Sequence, residues 1–429
     1  MKHQVKEIKL QGGAKGLLVN VSDAPVMTFN FSFRAGYFTS VDDKWEIPHV
    51  LEHLMFNGNK HYKSSQEFNV ELEKNGAYAN AYTNNWNVAY ESECANFESM
   101  RILELVLQSL TSPLFLQHEF DAEIGNVQEE LQGYLNSYFR VLNVGMLERS
   151  GMLALNDQAR ISQLANITRA DMFDHHQKTH TQKNLRFVIA GQTDNHESEI
   201  IKLLESYSAQ LPEGEFFDLP AETPKPSKGP LVMRRQDVEK LHYYFDLYIP
   251  DRRLTKQEDE VVGIVERLLT KSMTSKIFGE ARRRGLAYGM SSSMSYGADD
   301  SRWWFGGSVN YANASELFEL MFKELDLLSQ GKIAKQEVET AKLQALGSFM
   351  RSSQRVSDLA RGYENTFYFD ETIEDYNAIP DQIKAVTKTD VVDLANSFIS
   401  RKEWDLGLLG KVDSDLSQDL YRTCRTLFD

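Results

Sequence analysis

Five of the ten prolines in this 429-residue chain, Pro212, Pro220, Pro224, Pro226 and Pro230, fall inside one short stretch near its middle, LPEGEFFDLPAETPKPSKGP. Proline locks φ and lacks a backbone N–H, so neither a helix interior nor a sheet ladder can run through such a segment. The stretch therefore reads as an extended linker over residues 212–230. It divides the chain into domains at 1–211 and 231–429, and a chain of this length is in any case too long for one ordinary core.

The two halves share a design. Strand-type alternation marks residues 26–39, VMTFNFSFRAGYFT, and residues 242–249, HYYFDLYI. A helix-period segment follows in each, HVLEHLMF from His49 and GIVERLLT from Gly263, with Glu52 and Glu266 at the same place in the two octets. The next strand-like run begins with glycine in both, GAYANAYT at Gly76 and GLAYGMSS at Gly285. Common order and spacing point to an internal duplication. Residues 117–149 and 313–331 read as long amphipathic helices. The expected fold class is α+β: two similar domains, each a mostly antiparallel sheet packed with long helices, joined by the Pro-rich linker.

Charge and composition narrow the function classes. The formal net charge of −15 would repel nucleic acid rather than attract it. Two distant cysteines, Cys94 and Cys424, make neither a disulfide framework nor a thiolate zinc site. The N-terminal residues lack the apolar core of a signal peptide, and no run of apolar residues is long enough to span a membrane. A cytoplasmic location is the expectation, with no nucleic-acid and no membrane partner.

The chemistry concentrates in EIPHVLEHLMFNG. Pro48 suits a first helical turn, and Asp42 and Asp43 lie just upstream. His49 and His53 are four apart and project from one face of that helix, a spacing that lets two imidazoles grip one zinc ion. Glu52 lies on the same side, placed to take a proton from metal-bound water. Two histidines need a third ligand. The segment 117–149 carries Glu119, Glu123, Glu129, Glu130 and Glu148. Glu123 and Glu130, seven apart, share a face, so that one can ligate and the other can hold a ligating histidine. A solvated acidic face suits Glu119, Glu129 and Glu148, but periodicity does not choose between Glu129 and Glu130. His175, His176 and His180 also cluster, and read as a polar connection rather than a second metal site.

These residues together resemble the inverzincin metallopeptidases, with their inverted H-x-x-E-H pattern. More narrowly, the chain is similar to the pitrilysin family, which includes insulin-degrading enzyme and mitochondrial processing peptidase, and it has the short two-domain layout. The likeness runs through Phe56 and Gly58 and over nearly the whole chain. It implies Glu130 as the third ligand and Glu123 as the residue that orients a ligand. NGAYANAYTNNWNVAYES resembles the family's substrate strand, which implies peptide binding along Asn80, Ala81 and Thr83 by β-augmentation. In EARRRGLAYGMSS the resemblance implies that Tyr288 steadies the tetrahedral intermediate and that Arg282 holds substrate carbonyls, at the shorter of two spacings seen among relatives.

The resulting expectation is a zinc-dependent endopeptidase with one Zn2+ per chain. It would act on peptides and small unfolded proteins inside a closed chamber formed by two chains, either as a homodimer or as a heterodimer with a related chain.

Overall fold

The computed structural model describes residues 2–429. These group into two compact units, each drawn from three segments: residues 2–132, 157–219 and 350–376 in the first, and residues 133–156, 220–349 and 377–429 in the second.

The first unit holds a six-stranded sheet of β1 (Gln4–Lys9), β2 (Lys15–Asn20), β3 (Val26–Phe33), β4 (Tyr78–Thr83), β5 (Val88–Ala95) and β6 (Leu185–Gly191). Its spatial order is β1-β2-β6-β3-β5-β4, and every pair is antiparallel except β2 with β6. The second unit has β7 (Leu231–Arg234), β8 (Leu241–Ile249), β9 (Met290–Tyr296), β10 (Ser301–Val309) and β11 (Trp404–Gly410) in the order β7-β11-β8-β10-β9. Apart from the added edge strand β1, the two orders are the same, with β7 beside β11 as the parallel pair. The fold is α+β in two similar domains.

Strand β3 shows how the pattern builds the core. Met27, Phe29, Phe31 and Phe33 take one face and are fully buried. Thr28, Asn30 and Ser32 take the other, and they are buried as well. Burying polar side chains is tolerable only when they are hydrogen-bonded. The helix Val356–Asp370 covers that polar face and supplies Glu364, whose carboxylate accepts from Asn30 Nδ2 at 2.9 Å and from Ser32 Oγ. This helix comes from the C-terminal half of the chain yet belongs to the first unit.

A reciprocal exchange breaks the long helix expected over residues 117–149. It forms two helices, Gln117–Tyr134 and Tyr138–Ser150, separated by a turn in which Ser137 N donates to Tyr134 O at 2.9 Å. Asn136 and Ser137 offer the backbone competing hydrogen bonds there. The first helix stays in the first unit. The second belongs to the second unit, where Leu142 and Met146 pack with Val238, Tyr244 and Leu409. The proline-rich stretch has no regular secondary structure from Pro212 to Pro230. Among the described residues, no helix is long and apolar enough to cross a membrane.

Burial raises the Glu364 carboxyl to about 6. A folded-state value above the ordinary one contributes stability that is complete below the unfolded value and is lost as pH rises through the folded one. Relative to the parent, Glu364→Gln should gain about 1–2 kcal/mol between about pH 4.5 and pH 7 in urea unfolding. A difference that does not change with pH would exclude this assignment.

Candidate metal centre and active site

The helix Ile47–Leu54 is short, with Pro48 in its first turn, and it buries Ile47, Val50, Leu51 and Leu54 against the core. That burial fixes its rotation and sends His49 and His53 to one side, their rings 4.8 Å apart at an interplanar angle of 84°. The helix Gln117–Tyr134 lies across from them with Glu123 and Glu130.

Each imidazole is held by its Nδ1. His49 Nδ1 meets Glu46 Oε2 at 2.8 Å, and His53 Nδ1 meets Glu123 Oε2 at 3.0 Å. An Nδ1–H donated to a carboxylate leaves the lone pair on Nε2, which is the tautomer a metal needs. Both Nε2 atoms lie 3.5 Å from one atom, Glu130 Oε2. Three ligands on a tetrahedral zinc, with bonds of about 2.0–2.1 Å, sit roughly 3.3–3.4 Å from one another. The donor set of two imidazoles and a carboxylate therefore fits zinc in both chemistry and spacing. Glu129, the neighbour that periodicity left in play, is exposed.

Glu52 completes the group. One of its carboxylate oxygens and the histidine nitrogens lie within 4.8 Å of one another, so distance alone would admit it as a ligand. Glu130 is the better candidate because its oxygen is equidistant from both Nε2 atoms. Glu52 Oε2 instead accepts from Thr83 Oγ1 at 3.4 Å. Burial pushes the Glu52 carboxyl above its ordinary value, an effect the neighbouring His49 and His53 only partly offset.

Burial also favours neutral imidazoles, but here the carboxylates outweigh it. Glu130 and Glu46 raise His49, and Glu123 and Glu130 raise His53 to about 10. The pocket is thus a strongly cation-seeking box. A metal ion must displace those protons, so its apparent affinity falls as pH falls.

Several supporting residues had not been singled out from the sequence. Glu46 is fully buried and is also held by Arg160, with Nε to Oε1 at 2.5 Å and Nη2 to Oε2 at 3.1 Å. Arg160 is itself held by Asp157 at 3.0 Å and by the Tyr37 hydroxyl at 2.6 Å. Glu46 lies three residues before His49, a helical spacing that is the one signal by which it could have been found; Arg160 carries no sequence signal. Glu123 accepts from Asn126 Nδ2 at 3.1 Å as well. Glu119 does not join a solvated face. It is buried and accepts from the backbone N–H groups of Gly58 and Ser65 at 3.1 and 2.7 Å, pinning the chain that leaves the histidine helix. Glu148 is half-buried and binds Asn156.

Strand β4 is an edge of the first sheet. Alternation puts Ala81 and Thr83 on the face of the histidine helix, while Asn80 points to the opposite face. Arg282 and Tyr288 lie in the second unit and pair with each other. Arg282 Nη1 donates to Tyr288 O at 2.8 Å and its guanidinium stacks 4.5 Å from the Tyr288 ring centroid, while Tyr288 is 81% exposed.

The histidines at 175, 176 and 180 are not in a polar connection. His175 and His176 lie in the helix Arg169–Thr179, and all three side chains are buried. His176 Nε2 meets Leu110 O at 2.9 Å, and His180 Nε2 meets the Tyr90 hydroxyl at 2.8 Å. Burial drives His175 down to about 3 and His176 to about 4, so they serve as neutral packing groups.

The chain is 24% identical over 393 residues to the mitochondrial-processing peptidase subunit beta of Saccharomyces cerevisiae, spanning 85% of this chain and 82% of that one. It is 27% identical over 186 residues to the probable zinc protease PqqL of Haemophilus influenzae, but spans only 20% of that longer protein and 41% of itself. The crystal structure of a protease from Helicobacter pylori superposes with a TM-score of 0.81 at 19% identity, covering 95% of this chain and all of that one. Residues 22–149 match the insulinase (peptidase family M16) model, and residues 166–345 match the peptidase M16 inactive domain. The chain belongs to peptidase family M16. This is the pitrilysin-type family that the histidine motif resembles.

The M16 assignment also accounts for the asymmetry between the halves. At the places of His49 and His53 the second half has Gly263 and Arg267, and Glu266 there is buried, accepting from Met294 N on β9 at 3.1 Å. Glu266 keeps the position of Glu52 without the histidines.

If Glu46 sets the orientation of His49, Glu46→Gln should weaken zinc binding by about 10–100-fold in a chelator competition at pH 7.5. Parent-like affinity would show that His49 needs no such support.

Proposed function

We propose that this chain is a zinc-dependent endopeptidase. The observation that carries the reading is the meeting of His49 Nε2, His53 Nε2 and Glu130 Oε2 at 3.5 Å, with Glu52 beside them. His49, His53 and Glu130 would hold one Zn2+ per chain, which when bound supplies a Lewis acid and makes a water acidic enough to attack at neutral pH.

The chain's own residues do the rest. Glu52 takes a proton from the attacking water and passes it to the leaving amine. Burial suits it to this work, because a carboxyl lifted above its ordinary value both accepts and returns a proton readily. Thr83 Oγ1 keeps the carboxylate turned towards the histidines. The peptide adds as a strand to the open edge of β4, where backbone hydrogen bonds give binding without strict sequence demand. Ala81 is small on the face shared with the histidines and leaves room there for the scissile bond. The Tyr288 hydroxyl donates to the developing oxyanion, and Arg282 steadies substrate carbonyls. The exposure of Tyr288 leaves it free to reach a substrate.

Substrates are peptides and small unfolded proteins enclosed in a chamber that two chains close, most simply as a homodimer in the cytoplasm.

Glu52→Gln should retain zinc and lose about 100-fold or more of peptide-cleaving activity. Cleavage at the parent rate would remove Glu52 as the base. Sedimentation of the purified chain should give twice the chain mass, and a monomer with full activity would contradict the two-chain chamber.

A further inference from the structure

The polar face of the first sheet carries a second feature, on the side away from the histidines. In register across three strands, Tyr78, Glu93 and Thr28 form one rung, and Asn80, Glu91 and Asn30 form the next. The helix Val356–Asp370 brings Ser357 and Arg361 against this face. Between them is a crevice of about 150 Å³ lined chiefly by Thr28, Asn30, Tyr78, Glu91, Glu93 and Arg361.

Its floor is short of donors. Asn30 Nδ2 is committed to Glu364 at 2.9 Å, which fixes the carboxamide and leaves Oδ1 without a partner. Thr28 Oγ1 and Glu91 Oε1 are also buried without partners. Asn30 is 2% exposed and Thr28 3%, so bulk water does not serve them. Unmade hydrogen bonds of this kind are costly, and a ligand that supplies N–H donors recovers them. The charge balance points the same way. Glu91 and Glu93 line the crevice with one basic residue, Arg361, which binds Glu91 Oε2 at 3.1 Å and leaves the other oxygen to the crevice.

We propose that this crevice binds a primary ammonium group on a methylene stem, the group a lysine side chain presents. Three separate oxygen acceptors match the three N–H bonds of an ammonium better than the planar fork of a guanidinium. The exposed Tyr78 ring at the mouth offers an apolar surface for the methylene stem. The ammonium site stands on the crevice alone and not on the peptide-cleaving reading.

The test uses the zinc-loaded chain and two neutral-ended probes, Nα-acetyl-lysine methylamide and its isostere Nα-acetyl-norleucine methylamide, titrated by ligand-observed NMR. The lysine probe should bind about tenfold more tightly, and Glu91→Gln should abolish most of that preference. Thr28→Val, which keeps the shape and every charge, should reduce it several-fold. Equal binding of the two probes, as a merely water-filled crevice would give, overturns the proposal. So does a preference that survives Glu91→Gln intact. The titration reads binding without cleavage, so its failure is separate from any failure of Glu52 as the base.

Discussion

The structure of the site depends on two carboxylate–imidazole hydrogen bonds, Glu46 to His49 and Glu123 to His53. Each fixes a tautomer, aims an Nε2 lone pair, and removes the rotation that would let the ring turn away. An imidazole without such a partner would still lie on the right helix face, but its ligand atom would wander. One bond is anchored in a buried network of Glu46, Arg160, Asp157 and Tyr37, the other on a helix that also brings Glu130 to both Nε2 atoms. Removing one member of a buried charged network leaves its partner uncompensated, so the support is rigid by construction.

Much of this was legible in the sequence because it obeys short-range periodicity. His49, Glu52 and His53 occupy one helix, and Glu123 with Glu130 occupies one face of another. The paired strand orders follow from the repeated pattern in the two halves, although the exchange of helices between units does not. Nothing local in Val356–Asp370 says that it will cover β3, and nothing in Tyr138–Ser150 says that it will leave its neighbour. Both facts are set by which polar or apolar face needs covering. Arg160 was invisible for the same reason, since its partner lies 114 residues away. Glu119 was misread because a carboxylate on a mostly polar helix looks solvated until the backbone amides it serves are located.

The two similar domains use their shared design differently. Glu52 and Glu266 hold equivalent places, and each carboxylate reaches the corresponding strand, β4 or β9. In the first half the contact is a side-chain hydroxyl at 3.4 Å that leaves the carboxylate available for chemistry. In the second a backbone N–H and Lys271 engage the carboxylate, and the histidines are absent. One fold thus carries a carboxylate beside two histidines in one half and a carboxylate tied to backbone and lysine in the other.

X-ray absorption at the zinc edge of the loaded chain tests the proposed ligand set most directly. Two histidines and a glutamate give a shell of nitrogen and oxygen at about 2.0–2.1 Å, with the outer-shell scattering of two imidazoles. A sulfur shell at about 2.3 Å, or scattering from fewer than two imidazoles, would contradict it.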